Sequence, residues 1–284
     1  LYTQRVEVSD WLSNVKKPSL PEEVSYEVQI KKEKVVEEKR PFIEFTRLDK
    51  TDEAKEKVKK IEEAKKEEVV EKKIVDEKKA DDSELVVNDA LAAAVNLAVP
   101  FTSQAPHANW EFPYKEACEE ASVYMTVEFL NGTDPGKIPA DKADKDLLKI
   151  VEFEKGLFGY YEDTNIAQTR TFAELMYGFE KIEIIENPTV LQIKQRLNSG
   201  LPVIVPAAGR ELKNPFFTAP GPVYHMLVIR GYTEKDQFIV NDPGTRRGEA
   251  YLYDFDILMN AIHDWNNGGE ITDGKKAVMI IYPN

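Results

Sequence analysis

Between Ala121 and Leu130 apolar residues leave almost no polar face: Ala121, Val123, Tyr124, Met125, Val127, Phe129 and Leu130. That pattern predicts a helix buried on all sides, and Asn131-Gly132 behind it supplies a stop. Thr171 to Tyr177 predicts a second, short helix. Val190, Ile193 and Leu197 share one face of a helix that ends at Gly200, and Leu201 to Val205 then reads as a buried strand. His225 to Tyr232 and Gln237 to Asn241 are strands joined by the polar turn Thr233-Glu234-Lys235-Asp236. Phe255 to Trp265 is helical, and Ala277 to Tyr282 is a closing strand. Helices followed by mainly antiparallel strands make an α+β domain.

Upstream the pattern is thinner. Val24, Tyr26, Val28 and Ile30 alternate with polar residues, which predicts one half-buried strand; a strand cannot fold alone. From Arg47 to Asp82, 25 of 36 residues are charged, so this stretch cannot build a core of its own. Glu53 with Lys57, Glu56 with Lys60, Glu62 with Lys66 and Glu68 with Lys72 have the i,i+4 order that supports an exposed helix. The expected organisation is a tail or docking segment over 1–46, a charged helical or disordered linker over 47–87, and a globular domain over 95–284.

The formal net charge of the 284-residue chain is −13, which argues against a nucleic-acid partner. A single cysteine excludes an intrachain disulfide. The longest apolar stretch, Leu85 to Phe101, is interrupted by Asn88, Asp89, Asn96 and Pro100 and is no membrane span. The chain starts at Leu1 and not at Met, which fits a fragment, a processed form or an unusual start; a cell-envelope or secreted location is favoured if an upstream signal or anchor is missing.

The lone cysteine carries the chemistry of interest. Cys118 stands directly before the buried helix, where unpaired N–H groups and the positive end of the helix dipole favour a thiolate, the nucleophilic form. A small buried apolar cysteine is the ordinary alternative. Glu119 and Glu120 beside it oppose thiolate formation unless they point away. With the turn centred near Glu234 and Lys235, His225 and Asp242 fall at the same end of adjacent strands. A carboxylate beside an imidazole fixes its tautomer and stabilises the imidazolium formed when a thiol gives up its proton. A core histidine and a plain turn at Asp242-Pro243-Gly244 are the separate alternatives. Gln104, fourteen residues before Cys118, is a candidate amide donor to an oxyanion, together with a backbone N–H at Cys118.

Taken in order, Val99-Pro100-Phe101-Thr102-Ser103-Gln104, Cys118-Glu119-Glu120-Ala121-Ser122, His225-Met226-Leu227-Val228-Ile229-Arg230-Gly231-Tyr232 and Asn241-Asp242-Pro243-Gly244 resemble the bacteriocin-processing (double-glycine) peptidase-like branch of the papain-like cysteine peptidases. The resemblance spans roughly Val95 to Asn284. It implies a papain-like fold, no metal or other cofactor, and peptide or protein substrates cleaved through an acyl-enzyme. By the same resemblance Cys118 is the nucleophile, His225 the general base, Asp242 the orienting acid and Gln104 an oxyanion donor. The stretch between Gln104 and Cys118 is longer here than in the bacteriocin-processing members, so their leader substrate is not carried over.

A thiol acyltransferase with the same nucleophile and base, and a non-catalytic surface binding domain on the same fold, are the competing readings. His107 is expected at the surface and His263 in a structural role. Arg246 and Arg247 follow the Asp242 turn, either solvated or facing an acidic substrate group. Phe216 and Phe217, with the prolines around them, are expected to form a cleft wall before His225.

Overall fold

A computed structural model describes residues 19–26 and 91–284. The charged run Arg47–Asp82 and the second half of the alternating Val24–Ile30 stretch lie outside the described residues. Among the described residues five helices, α1 (Cys118–Leu130), α2 (Ala140–Phe158), α3 (Ile166–Tyr177), α4 (Val190–Asn198) and α5 (Phe255–Ala261), accompany seven strands. The strands are β1 (Val95–Asn96), β2 (Ile182–Glu186), β3 (Val203–Ala208), β4 (Tyr224–Tyr232), β5 (Gln237–Asn241), β6 (Tyr251–Asp254) and β7 (Ala277–Ile281). They form one antiparallel sheet in the order β2-β7-β3-β4-β5-β6, with β1 also paired to β4. The architecture is α+β, as expected. Among the described residues no helix is long and apolar enough to cross a membrane.

Both β3 and β4 are buried along their whole length, which explains their continuous apolar runs. α1 packs on β4 and is itself covered by α2 and α3, so it has no solvent face to carry polar residues. The β4–β5 hairpin pairs Val228 with Asn241 and Ile229 with Val240; a bulge then shifts the register to Gly231 with Ile239. His225 and Asp242 thereby come to the same end of two neighbouring strands.

Four elements escaped the sequence reading: α2, β2 and the short strands β1 and β6. In α2 the buried residues Ala143, Leu147, Ile150, Val151, Glu154 and Leu157 recur at helical spacing, but Lys and Asp between them hide the stripe. β2 is a half-buried edge strand paired only to β7. Helix ends also moved. α3 starts at Ile166, upstream of Thr171, because Asn165 and Gln168 form a capping box there. α5 stops at Ala261, short of Trp265, because Ile262 leaves the helix to bridge Ala207 and the His263 N–H donates to the Pro206 carbonyl.

The first segment is docked where it is described. Val24 bridges Leu97, with its N–H on the Asn96 carbonyl and its own carbonyl accepting from Ala98, each at 2.8 Å. The Tyr26 ring meets Phe129 edge-on. Arg230, sealed within β4, donates from Nε to the Leu97 carbonyl and from Nη2 to Glu23, both at 2.7 Å.

Candidate active site

Cys118 is the first residue of α1, and its N-cap, Ala117, offers no side-chain capping bond. The Cys118 N–H in the first turn therefore gains no cap, while those of Glu119 and Glu120 meet their own carboxyls. The thiol itself is buried, and its sulfur lies 3.0 Å from Glu119 Oε2. Burial pushes the thiol pKa well up, and Glu119 and Glu120 push it the same way. The backbone N–H of Met226, the residue after His225 on β4, reaches the sulfur and opposes that shift.

His225 is the second residue of β4 and is buried. Its Nε2 lies 2.7 Å from Asp242 Oδ1, and this is the only hydrogen bond the ring makes among the described residues, so Nδ1 is uncommitted. The ring is held from one side by Phe217, edge-on at 5.3 Å between centroids. On another side stands Gly244, where a Cβ atom would come within 2.8 Å of His225 Cε1 and 2.9 Å of Phe217. Only glycine lets the turn approach the imidazole this closely.

Asp242 directly follows β5 and is fully buried. Four donors converge on its carboxylate: His225 and the Gly244 N–H on Oδ1, Tyr253 Oη and Asn214 Nδ2 on Oδ2. Burial alone would raise its pKa, but the charge and hydrogen bond of His225, with the bonds from Tyr253 and Gly244, outweigh it and hold the carboxyl below its ordinary value. Asn214 also donates to Tyr253 Oη at 2.8 Å, so the support is a closed network. Neither Asn214 nor Tyr253 stood out in the sequence. Tyr253 sits on β6, one strand beyond β5, and an aromatic residue in a strand reads as packing until the register is known.

Gln104 is buried and lies in the first half of the long connection from β1 to Cys118. Both hydrogens of its Nε2 are taken, by the Tyr114 carbonyl at 2.9 Å and the Lys115 carbonyl at 3.0 Å, while Oε1 has no partner. Its backbone N–H donates to Pro243, and the Ser103 hydroxyl donates to the same carbonyl. Gln104 thus ties the Asp242-Pro243-Gly244 turn to the short 3-10 turn Tyr114–Glu116 that feeds α1. Asn241 does the same one residue earlier, donating to the carbonyls of Val99 and Pro100. The four sequence blocks around Val99, Cys118, His225 and Asn241 meet in one place.

Beside Gly244 opens a cavity of about 410 Å³ lined by Trp110, Phe216, Thr218, Thr245, Arg246 and Arg247, among others. The Arg247 guanidinium lies over the Phe216 ring at 4.9 Å. Phe216 thus belongs to a cleft wall, and Phe217 to the wall around His225. His107 is at the surface, paired with exposed Asp141 at 3.2 Å. His263 lies just past α5 with Nδ1 at 2.9 Å from the Gly274 carbonyl, a structural contact.

A buried thiol at a helix start, beside a strand whose imidazole is fixed by a carboxylate, can exchange a proton and attack a carbonyl. Among solved structures the chain is similar to a protein described as a C39-like peptidase from Bacillus anthracis (15% identity, 66% of this chain and 98% of that one, TM-score 0.45). It is also similar to a fragment of prointerpain A from Prevotella intermedia (14% identity, 67% and 72%, TM-score 0.43). A further similarity is to xylellain, a cysteine protease from Xylella fastidiosa (13% identity, 69% and 87%, TM-score 0.31). No curated protein matches the chain. The model of the Peptidase_C39 like family matches residues 96–272, and with well over half of the chain inside that match the protein belongs to the Peptidase_C39 like family.

Proposed function

We propose that this protein, a cysteine peptidase-like enzyme by its family, hydrolyses peptide bonds through a triad of Cys118, His225 and Asp242. The observation that carries the reading is the 2.7 Å bond from His225 Nε2 to a fully buried Asp242, which leaves Nδ1 as the one ring nitrogen able to take a proton. The N–H of Met226, the residue after His225 on β4, reaches the Cys118 sulfur, which supports pairing this thiol with the His225 imidazole.

In this mechanism the Cys118 thiol passes its proton to His225 Nδ1, and Asp242 stabilises the imidazolium. The thiolate attacks the substrate carbonyl and forms a tetrahedral intermediate, whose oxyanion accepts from the Cys118 N–H at the start of α1. The imidazolium returns the proton to the leaving amine, and water then releases the acyl group from the sulfur. Gln104 enters this reading as a positioning residue, since its amide hydrogens are committed to the turn before Cys118. It donates to the oxyanion only if substrate displaces one of those carbonyls. The substrate chain is expected to lie along the cavity beside Gly244.

The test is covalent labelling with a peptide-like, thiol-directed electrophile. Labelling at neutral pH well above the rate of a free thiol with pKa about 8.5, lost in Cys118→Ala and strongly reduced in His225→Ala, is the expected result. A parent rate that rises only above that pKa rejects the reading and leaves a binding domain on a peptidase fold.

A further inference from the structure

Three glutamates are sealed around the start of α1. Glu119 and Glu120 follow the nucleophile in the helix, and Glu154 reaches the same space from α2. Glu119 Oε2 is 3.0 Å from Cys118 Sγ. The Glu120 and Glu154 carboxyls are hydrogen-bonded to each other, and Glu154 Oε1 also accepts from Thr164 at 3.5 Å. Apart from that mutual contact, Glu119 Oε1, Glu154 Oε2 and the Glu120 oxygens meet no side-chain donor among the described residues; the further donors are the N–H groups of Glu119 and Glu120 themselves, each toward its own carboxyl.

Charge balance decides what these groups are. Around Glu119 stand Cys118 and Glu120 on its own helix, Glu154 on α2, Asp163 and Tyr161 in the loop after α2, and Tyr224 on β4. Glu116 and Glu162 add to the same field at Glu120. Every one is acidic or neutral. The cations close by are engaged elsewhere, Lys115 with Glu116 and Lys155 with Glu152, and among the described residues none pairs with Glu119, Glu120 or Glu154. No group there is arranged to hold a metal ion either. Ionised carboxylates buried without a cation among like charges cost several kcal/mol each, more than one N–H of the same residue repays, so such groups keep their protons. Burial accordingly raises the pKa of all three, that of Glu120 to about 8.

We infer that Glu119 works as a carboxylic acid at neutral pH and donates its O–H to the Cys118 sulfur once the thiolate forms. The inference rests on Cys118 being the nucleophile. In the resting enzyme the S–H and the carboxyl share one hydrogen bond. When the thiol proton moves to His225 Nδ1, the Glu119 O–H turns to the sulfur and joins the Met226 N–H as a second donor. One proton changes place, and the carboxyl proton stays on Glu119 throughout. The sign of the effect depends on protonation alone. As a carboxylate, 3.0 Å from the sulfur, Glu119 opposes the thiolate; as an acid it favours it. Activity is therefore expected to fall on the alkaline side as Glu119, whose pKa burial holds well above its ordinary value, gives up its proton.

The test compares Glu119→Gln and Glu119→Ala in the full chain, reading the rate of Cys118 alkylation by iodoacetamide from neutral to alkaline pH. Glu119→Ala lacks a donor, and its neutral-pH rate is expected to fall about tenfold. Glu119→Gln offers an amide N–H that does not titrate, so it should recover most of that loss and remove the alkaline decline. A rate in Glu119→Gln well above that of the parent at neutral pH would overturn the inference, because it would mean that an ionised Glu119 had been suppressing the thiolate. A Glu119→Ala rate equal to the parent's would overturn it equally. If Glu119→Ala does not fold, the infrared difference between parent and Glu119→Gln decides: a carboxylic-acid carbonyl band supports the inference, a carboxylate band rejects it. Failure of the parent itself to react faster than a free thiol would instead reject the nucleophile assignment.

Discussion

The hydroxyl of Tyr253 donates a 2.7 Å hydrogen bond to Oδ2 of Asp242, while Oδ1 of the same carboxylate holds His225 at the same distance. The tyrosine comes from β6 and the histidine from β4, so the carboxylate at the end of β5 is clamped by the strands on both sides. A buried carboxylate without such donors would take up a proton and stop supporting an imidazolium. In Tyr253→Phe one donor is lost and Asn214 remains. We expect kcat/KM to fall about tenfold, the scale of one hydrogen bond to a charged group, and the unfolding midpoint to fall as well, since the same buried bond supports the fold. Asp242→Asn should reduce thiol labelling more than this but less than His225→Ala, since an amide can still orient the ring.

Gly244 offers a steric test of the same arrangement. A methyl group there would meet His225 Cε1 at 2.8 Å and Phe217 at 2.9 Å, and the backbone of the turn is pinned by the Gly244 N–H on Asp242. The imidazole must yield. Gly244→Ala is expected to lower labelling of Cys118 by about a hundredfold, the scale of a 1 Å misplacement in a catalytic group, while the protein still unfolds cooperatively. Unchanged labelling would show that the ring is not held where the turn approaches it.

Stability should depend on pH through the buried glutamates. Glu120 releases its proton near 4.5 when unfolded and near 8 when folded, so the folded state binds more protons between these values. Stability therefore decreases as pH rises through that window, by up to about 1.4 kcal/mol per pH unit for one group. Asp242 works in the opposite sense, adding stability that is lost as pH falls through its depressed pKa, below the usual carboxylate range. The two windows do not overlap. Urea midpoints of Glu120→Gln should be flatter than those of the parent between about pH 5 and pH 8.

Arg230 links the first segment to the sheet. Its guanidinium is buried in β4, and Glu23, itself half-exposed, supplies its one carboxylate partner among the described residues. Because water can partly replace Glu23, Glu23→Ala is expected to cost only about 1 kcal/mol. Deleting residues 1–26 removes in addition the Val24 bridge and the Tyr26 ring from Phe129, and should cost about 3 kcal/mol. Chemical denaturation of the two variants beside the parent measures both.

Local pattern was enough for the elements whose burial is uniform. α1, β3, β4 and β7 carry apolar residues on every face because they lie between layers, and such runs announce themselves without any tertiary information. The hairpin turn at Thr233–Asp236 placed His225 and Asp242 at one end, because strand pairing across a short turn leaves little freedom in register. The helix-start position of Cys118 followed from the apolar run behind it.

Other features depend on segments far apart in the chain. α2 alternates buried and charged positions so closely that its stripe emerges only when α1 and α3 are present to cover it. Gln104, read from sequence as an oxyanion donor, has its amide hydrogens on Tyr114 and Lys115 because the loop between them folds back on itself. Asn214 and Tyr253 reach Asp242 across 28 and 11 residues of chain, and no local spacing encodes that meeting. Residue types and short-range order thus singled out candidate groups and the elements that carry them, because those depend on backbone periodicity. Protonation, donor supply and the closeness of Glu119 to the sulfur depend on which distant side chains exclude water, and that is a property of the folded whole.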